Sequence, residues 1–354
     1  MSTGLLFKEW RQNAWIFLFI VIAFIGSEAM TATNTVDMFN QNYKYYQSEE
    51  FQKVNVDDQQ LTPNEIKMDL SLTPYDFEGN LALFFYVFLF LGLKLTVFEK
   101  NKQMDYFTYG LPYSKNQIFW HKLLIPSLII FIIVPLIISL RFMYIYQQIP
   151  ELYLPNVSDS SMYIASFSLL FLFSFTLAIA VGYLVGDIIA AGLVAIGAVA
   201  SFFYMFPGAT TNLIVGFKAF LEGKSLADVD GGAVMLFSAL PTPLLSGSMV
   251  ISEFIVLIAL SILMIIIGWY ALKTASLENN GRFLMNNKFR MPILIIGSIY
   301  ITICLGGHYS KFNYESLITT TQAVTLLVKM ILIFIVTATA FWFLMYKWKT
   351  IKKL

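Results

Sequence analysis

Long apolar stretches with almost no charged residue alternate with polar segments along the whole chain. A helix needs roughly 20 apolar residues to cross the hydrocarbon layer of a bilayer. Stretches of about that length predict eight spanning helices, at 14–30, 80–97, 123–146, 162–185, 188–206, 250–272, 291–308 and 323–346. We therefore predict an all-α polytopic membrane protein with about eight transmembrane helices.

The composition agrees with this pattern. Of the 354 residues, 58% are hydrophobic and 13% are charged, whereas a soluble domain carries about 25% charged residues. A soluble protein of this length could not bury so much apolar surface. The single Cys304 cannot form an internal disulfide, and a net charge of +1 creates no basic field. A water-soluble enzyme, a disulfide-built secreted domain and a nucleic-acid-binding protein are thereby excluded.

Charged residues between the spans predict the side on which each connection lies. With both termini in the cytoplasm, the inner segments, Lys94 included, hold 15 of the 23 Lys and Arg residues but only five of the 22 acidic ones. This distribution follows the positive-inside rule. We therefore predict cytoplasmic N- and C-termini, with inner segments at 1–13, 98–122, 186–187, 273–290 and 347–354.

Residues 2–13, before the first span, combine charged and apolar positions. A helix there would place Leu6, Phe7 and Trp10 on one side, which is typical of an interfacial helix on the inner leaflet. The first apolar stretch superficially resembles a secretory signal. The amphipathic pattern before it favours an uncleaved membrane anchor.

Two segments on the predicted outer side differ in character. Segment 31–79 carries nine acidic residues and several aromatic ones. It is interpreted either as a solvated extracellular cap or as a contact surface for a substrate or peptide. Segment 207–249 is rich in Gly and Pro, and irregular backbone is not tolerated against lipid. We predict an extracellular broken helical hairpin there.

The inner segment 98–122 has a charged start, an amphipathic middle and a turn at Gly110-Leu111-Pro112. Ser114 then stands in position to cap a helix that runs into the third span. An ordinary inner loop would not need aromatic residues at helical spacing. We predict a short helix across the membrane surface, with one face offered to a cytoplasmic partner.

Residues suited to catalysis or metal binding are scarce. His121 and His308 are the only histidines and fall on opposite predicted faces, which disfavours a histidine metal site or a Ser-His triad. Gly223-Lys224-Ser225 lacks the earlier glycine of a phosphate loop, since Lys218 stands there. We therefore expect no cofactor, metal or nucleotide bound by this chain and no enzymatic activity of its own.

Charges inside the predicted spans are costly unless they are paired. Glu253 and Lys329 are such charges, and we interpret them as structural, either snorkelling or forming an intramembrane pair; a functional role is the alternative. The middles of spans three to seven hold no acidic residue, which argues against a secondary transporter. Gly182-x-x-x-Gly186 allows close helix contact, either between spans four and five or between subunits.

Taken together, these features resemble permease subunits of the ABC-2 type, the membrane half of bacterial ABC exporters. The resemblance rests on the interfacial helix, the large outer loop, the broken hairpin, and the run Glu99-Lys100, Leu111-Pro112-Tyr113-Ser114-Lys115 and Lys122. It covers a six-helix core at 1–272. Residues 273–354 add a cytoplasmic linker and spans seven and eight, a layout similar to Ytr- and Pmt-type permeases of Gram-positive bacteria.

The resemblance implies a permease subunit of an ATP-driven exporter in the cell membrane, moving an amphipathic peptide, an antibiotic or a lipid-like molecule. Its implied partners are a second permease, identical or homologous, and a cytoplasmic ABC ATPase dimer that holds ATP and magnesium. The residues implied in ATPase coupling are Glu99, Lys100, Met104, Phe107, Leu111, Pro112, Tyr113 and Lys115. The alternative is a non-transporting membrane immunity or peptide-sensing protein that uses the acidic segment 31–79.

Overall fold

The computed structural model describes residues 3–49, 51, 62–72, 81–101, 108, 110, 112–225, 251–275, 282–308 and 318–351. Within these ranges the regular elements are helices, and one isolated bridge joins Val185 to Leu284. The main helices are α1 (Thr3–Tyr46), α2 (Pro63–Leu70), α3 (Leu81–Leu93), α4 (Lys115–Leu128), α5 (Val134–Gln148), α6 (Val157–Leu184), α7 (Ile188–Ala200), α8 (Phe206–Glu222), α9 (Ile251–Thr274), α10 (Arg290–His308) and α11 (Thr320–Ile351). The all-α prediction is confirmed for this part of the chain.

Turns of π-helix join some of these helices without ending them. They lie at Lys94–Phe98 after α3, at Ile129–Ile133 between α4 and α5, and at Ser201–Met205 between α7 and α8. The last two turns each precede a proline, Pro135 or Pro207. Proline lacks an N–H and its ring clashes with the carbonyl four residues earlier, and a wider turn accommodates both effects.

Six helical stretches are long and apolar enough to cross a membrane, among the residues that the structure describes. They coincide with the predicted spans one, three, four, six, seven and eight. The predicted spans two and five coincide with shorter apolar helices, Leu83–Phe98 and Ile188–Ala200. The polytopic membrane class is thus supported, while the count of eight and the sidedness of the termini stay predictions.

The first helix corrects two predicted boundaries. α1 runs without interruption from Thr3 past residue 13 and on through 31–46. Residues 3–13 are therefore continuous with the helix that contains the first predicted span, and the outer segment starts as helix. The interfacial position of these residues stays a prediction. No Gly or Pro follows Gly26 before the end of α1, and the Thr31 and Thr35 hydroxyls bond to carbonyls one turn earlier. Nothing in the sequence therefore ends the helix at the bilayer edge.

The predicted hairpin at 207–249 also begins differently. α8 continues from α7 because the π-helical turn Ser201–Met205 accommodates Pro207. The helix ends at Gly223, whose φ of 62° lies in the left-handed region that glycine adopts readily. Residues 226–250 lie outside the described residues, so the second half of the hairpin stays a prediction.

The chain divides into two compact units. One contains the described residues of Met1–Phe88 and Trp120–Leu172, and the other contains those of Leu89–Phe119, Phe173–Thr242 and Ile251–Leu354. Edge-to-face aromatic contacts build the first core. Phe24 of α1 lies with its ring centroid 4.7 Å from that of Phe84 and 6.2 Å from that of Phe171.

In the second unit, α6 packs closely against the end of α3. A Cβ added to Gly92 would lie 2.6 Å from the Cβ of Ala178. On the same helix α6, a Cβ added to Gly182 would overlap the side chain of Thr96. Glycine at these two positions therefore sets the distance between the two helical segments.

Candidate functional site

Lys100 lies at the centre of a buried contact in the second unit, and its side chain is 5% exposed. Its Nζ donates hydrogen bonds to the carbonyl of Gly182 at 2.5 Å and to Sδ of Met285 at 2.9 Å. The same Nζ lies 5.2 Å from the centre of the Tyr183 ring. A buried ammonium is costly unless its N–H donors find acceptors. These contacts join the start of segment 98–122 to the end of α6 and to the 273–290 linker.

The close approach of these segments depends on Gly182. The Oγ1 of Thr96, which a Cβ at Gly182 would overlap, donates a hydrogen bond to the carbonyl of Gly92 at 2.8 Å. The Gly182 contact is therefore internal to the chain, but it is made with predicted span two. Sequence spacing alone does not reveal this partner of Gly182. Contact between spans four and five, or between subunits, stays a prediction for the Gly182-x-x-x-Gly186 motif.

The linker is held to the α6–α7 junction by backbone hydrogen bonds. The Met285 N–H donates to the carbonyl of Leu184 at 2.9 Å, and the Gly186 N–H donates to the carbonyl of Arg282 at 3.1 Å. Asp187 then begins α7, since its carboxylate accepts hydrogen bonds from the next turn's N–H groups. Three segments predicted to share the inner side, 98–122, 186–187 and 273–290, thus lie in contact.

The far end of segment 98–122 is fixed to α9. The Lys115 Nζ donates to the carbonyl of Ala275 at 2.8 Å, and the Trp269 Nε1 donates to Asn116 Oδ1, also at 2.8 Å. Ser114 Oγ accepts from the Gln117 N–H at 3.2 Å, and the Gln117 side chain accepts from the Ser114 N–H at 3.0 Å. This reciprocal pair is a capping box, and it confirms the predicted capping by Ser114.

The predicted coupling residues fall into distinct environments. Glu99 and Lys100 are buried within this chain, Tyr113 and Lys115 are half-buried, and Pro112 is exposed. Met104, Phe107 and Leu111 lie outside the described residues. Glu99 and Lys100 therefore lack the exposure that direct contact with a partner needs. Pro112 and Tyr113 offer such a surface in the described part of the segment, and the coupling role itself stays a prediction.

The start of α1 exposes aromatic side chains and buries polar ones. Phe7 and Trp10 are 61% and 50% exposed, while Glu9 and Asn13 are buried on the opposite side. The Asn13 Nδ2 donates to the carbonyl of Glu9 at 3.0 Å, which offsets part of the cost of burying that amide. The half-buried Leu6 lies next to this exposed face, and its interfacial role stays a prediction.

The predicted pair of Glu253 and Lys329 is not described by the structure. The side chain of Glu253 lies outside the described residues, and Lys329 is exposed on α11. Their pairing therefore stays a prediction.

A different pair of charges meets inside the first unit, and sequence reasoning missed it. The Nη1 of Arg141 on α5 lies 2.7 Å from the Oε2 of Glu28 on α1, with side-chain exposures of 0% and 2%. The guanidinium carbon also lies 5.5 Å from the centre of the Tyr163 ring. The attraction between the guanidinium and the carboxylate offsets part of the cost of taking these two charges out of water. The available signal was that two opposite charges fall within predicted spans one and three.

The described parts of the predicted outer segment carry an aromatic cluster. The Tyr153 ring centroid lies 5.4 Å from that of Phe39 and 6.2 Å from that of Tyr43. The Leu72 N–H donates to the carbonyl of Tyr153 at 2.8 Å. These contacts hold the end of α1 and the end of α2 against the connection between α5 and α6.

Helix α2 in this region begins with a second capping box. Thr62 Oγ1 accepts from the Glu65 N–H at 3.3 Å, and Glu65 Oε2 accepts from the Thr62 N–H at 2.7 Å. The backbone and hydroxyl donors of Thr62 lower the pKa of the Glu65 carboxyl, because they bind its charged form.

The chain is similar to the probable ABC transporter permease YtrD from Bacillus subtilis (strain 168). The two sequences are 24% identical over 319 residues, which cover 88% of this chain and 89% of the relative. No family model matches the chain, and no solved structure matches it. A permease relative favours a membrane subunit over an enzyme. The predicted resemblance is confirmed: this chain is a multi-pass protein of the cell membrane, similar to ABC transporter permeases of the Ytr type.

Proposed function

We propose that this chain is the transmembrane subunit of an ATP-driven exporter, in which a separate cytoplasmic ATPase dimer holds ATP and magnesium. The observation that carries the proposal is the similarity to a probable ABC transporter permease over 88% of the chain. In such a transporter the membrane subunit performs no chemistry, and it changes shape when its ATPase partner does.

The ATPase would bind this chain at Pro112 and Tyr113. Two anchors flank that surface, the Lys100 bond to Gly182 on one side and the Lys115 bond to Ala275 on the other. Displacement of the surface would act on the end of α9 through the bond of Lys115 to Ala275, the residue after that helix. The two anchors attach both ends of segment 98–122 to other parts of the second unit, which supports a coupling role for it.

The energy that the ATPase must supply can be compared with the strength of these anchors. A partner shifts a conformational equilibrium only by its differential affinity for the two states. Moving the population from 1:99 to 99:1 takes about 5.5 kcal/mol. A hydrogen bond to a charged group contributes about 1.5–3 kcal/mol. Two such anchors together contribute about 3–6 kcal/mol, which is comparable to the free energy that the ATPase must supply.

A second permease, identical or homologous, would complete the transport path, with cargo moving outward. The chain contains 33 Phe and 15 Met residues, which suit an apolar or amphipathic cargo. An amphipathic peptide, an antibiotic or a lipid-like molecule fits this surface chemistry.

The proposal is tested by purifying tagged protein from its native membrane in mild detergent and identifying the co-purifying proteins by mass spectrometry. We expect a stoichiometric soluble protein with a phosphate-loop ATPase sequence. A second membrane chain in the same peak would distinguish a heterodimer from a homodimer. Repeated recovery of the intact chain alone would contradict the exporter assignment.

The contact surface is tested with one pair of variants. Tyr113→Glu places a charge on the proposed surface, and we expect at least a tenfold loss of recovered ATPase without a change in melting temperature. Lys288→Glu is the matched control, because Lys288 is exposed on the neighbouring linker. Full retention of the ATPase by Tyr113→Glu would place the contact elsewhere.

The alternative function, immunity or peptide sensing, is favoured by one observation. The aromatic contacts of Phe39 and Tyr43 with Tyr153 give the predicted outer segment a defined surface. Replacing residues 48–79 with a short Gly-Ser linker should abolish peptide protection under this alternative while leaving any ATPase association intact.

A further inference from the structure

A cavity of about 280 Å³ lies in the second unit, where α4 begins and α9 ends. Its wall is formed by Ser114, Lys115, Asn116, Trp269 and Lys273. Ser114, Asn116 and Lys273 are exposed, and Lys115 and Trp269 are half-buried. A molecule in the cavity can therefore reach the side chains that line it.

The cavity carries positive charge, because Lys115 and Lys273 both line it and none of its described lining residues is acidic. The Lys115 ammonium is held by the carbonyls of Ala275 at 2.8 Å and of Lys273 at 3.5 Å. The Nζ of Lys273 lies 5.1 Å from the centre of the Trp269 ring. Lys273 forms no ion pair within the described part of the chain. Its charge is therefore available to an anionic ligand.

Asn116 adds a hydrogen-bond donor with a fixed orientation. Its Oδ1 accepts the Trp269 Nε1–H at 2.8 Å. A side-chain amide has its acceptor on the oxygen and both donors on the nitrogen, so this bond leaves Nδ2 to donate. Asn116 is also the second residue of α4, where a backbone N–H has no acceptor in its own helix. Ammonium groups and the N–H groups at a helix start both bind phosphate oxygens in proteins.

The face of α9 that leads to the cavity is apolar. Ile262, Ile266, Trp269 and Lys273 follow one another at spacings of four, three and four residues, which places them on one side of a helix. Ile262 and Ile266 are 52% and 53% exposed. Trp and Lys are typical of the point where a spanning helix leaves the hydrocarbon. A ligand that combines a phosphate with an apolar chain fits this face, whereas free phosphate would leave the two isoleucines uncovered.

The charge of the rest of the headgroup decides which phospholipid fits. Phosphatidylglycerol joins its phosphate to a neutral glycerol, whereas phosphatidylcholine adds a trimethylammonium group. Lys115 and Lys273 would repel that cation, and Lys273 already lies over the Trp269 ring that would otherwise attract it. An anionic headgroup without a cationic group avoids both effects.

We propose that this cavity binds the headgroup of an anionic phospholipid of the phosphatidylglycerol type. The Lys273 ammonium and the Nδ2 of Asn116 donate hydrogen bonds to its phosphate oxygens, and its acyl chains lie along Ile266 and Ile262. Basic pockets between membrane helices bind anionic headgroups by the same chemistry. The site goes beyond the exporter assignment, because binding requires neither an ATPase nor transport.

The proposal is tested on the purified full-length chain in phosphatidylcholine nanodiscs, without any ATPase. The probe is a phosphatidylglycerol with a photoactivatable diazirine in one acyl chain, and the matched probe is a phosphatidylcholine with the same chains. One lysine near a membrane surface favours an anionic lipid about fivefold. We therefore expect at least fivefold more labelling of α9 peptides by the phosphatidylglycerol probe. Equal labelling by the two probes would overturn the proposal.

A competition experiment separates the lipid from free phosphate. Unlabelled phosphatidylglycerol in the same nanodiscs should reduce the labelling at least fivefold. Inorganic phosphate in large excess, at constant ionic strength, should leave the labelling unchanged. Loss of labelling with inorganic phosphate would overturn the lipid assignment, because the cavity would then be a site for the free anion.

A pair of lysine variants locates the site. Lys273→Glu reverses the charge in the cavity. Lys288→Glu makes the same change at an exposed lysine of the neighbouring linker that does not line the cavity. We expect labelling by the phosphatidylglycerol probe to fall at least fivefold in the first variant and to stay unchanged in the second. Equal losses would overturn the proposal, because the lipid would then be attracted only by the general charge of this region.

Asn116→Asp tests the amide donor while keeping the contact with Trp269. The carboxylate still accepts the Trp269 Nε1–H, but an oxygen replaces Nδ2 and repels a phosphate. We expect labelling to fall at least fivefold with no change in melting temperature. Asn287→Asp, at an exposed asparagine of the linker, is the matched control. Unchanged labelling in Asn116→Asp would overturn the proposal, and this pair decides it if Lys273→Glu does not fold.

Discussion

The ammonium of Lys100 donates a hydrogen bond to the carbonyl of Gly182, 82 residues further along the chain. The same ammonium bonds to Met285 in the linker before α10. Segments that the charge pattern predicts to share one side of the membrane therefore meet at one buried side chain. We therefore expect the hydrogen bonds of Lys100 to contribute measurably to the stability of the second unit.

Replacing Lys100 with Met tests that dependence. Methionine keeps most of the apolar stem but leaves the Gly182 carbonyl without its donor, so we expect a loss of about 1.5–3 kcal/mol of unfolding free energy. Thermal unfolding of the purified protein, followed by tryptophan fluorescence, measures the effect. The control is Lys218→Met on α8, where an exposed lysine lies 4.0 Å from Glu222 and contributes little. Equal melting temperatures for the two variants would contradict the stabilising role of the Lys100 hydrogen bonds.

A methyl group at Gly182 should separate α6 from the end of α3. The added Cβ of Gly182→Ala overlaps the Thr96 side chain, and overpacking of this kind costs about 1–3 kcal/mol. Gly192→Ala is the matched control, since a Cβ there meets nothing within 4 Å. It should be neutral or stabilise α7 by about 0.5–1 kcal/mol. Both are measured by thermal unfolding, and a destabilisation shared equally by the two variants would argue against the close contact.

The pair of Glu28 and Arg141 should behave as a coupled unit. Either single change to Leu removes the opposite charge from a buried charge that remains, so we expect each to cost about 3–5 kcal/mol. The double variant should cost less than either single one, because apolar side chains replace both charges. A double-mutant cycle of unfolding free energies measures the coupling. Additive costs would mean that the two charges are stabilised independently.

Helix α2 should lose stability in acid through Glu65. Its pKa is lower in the folded protein than in the unfolded chain, because Thr62 donates to the carboxylate. The stabilisation is therefore complete above the ordinary carboxyl pKa and is lost as the pH falls through the lowered value. Hydrogen exchange of the α2 amides, divided by intrinsic rates, should show reduced protection in acid.

Glu65→Gln separates this effect from general acid instability. A glutamine keeps an acceptor oxygen but does not titrate, so protection of α2 should vary less with pH. Glu151→Gln, a change at an exposed acid outside the capping box, should leave the pH dependence unaltered. A wild-type pH dependence in Glu65→Gln would assign the effect to another group.

The parts of the fold that depend on local signals could be predicted from the sequence. Six long apolar stretches predict spanning helices such as α6 and α9, because length and hydropathy alone identify a helix that can cross a bilayer. Ser114 was predicted as a cap from its position after a turn and before an apolar run. Helix ends were harder. Hydropathy reports where a chain leaves the bilayer, whereas α1 continues beyond Met30 because no residue stops it.

The candidate site depends on contacts that no local pattern encodes. Lys100 is buried because Gly182 and Met285 approach it from distant parts of the chain. Glu28 and Arg141 meet only after α1 and α5 pack side by side. From the sequence alone, Lys100 has the same features as a solvent-exposed lysine at the edge of a membrane span.

Because α1 is one uninterrupted helix, a tilt at one of its ends also moves the other end. At 1.5 Å per residue its 44 residues extend about 66 Å, roughly twice the thickness of the hydrocarbon layer. Trp10 near one end and Tyr43 near the other belong to the same continuous helix. Tilting that helix by about 10° around its middle would move each end by roughly 6 Å, in opposite directions. A displacement of Trp10 at the amino-terminal end of α1 would then change the contacts that Tyr43 makes with Tyr153 at the other end.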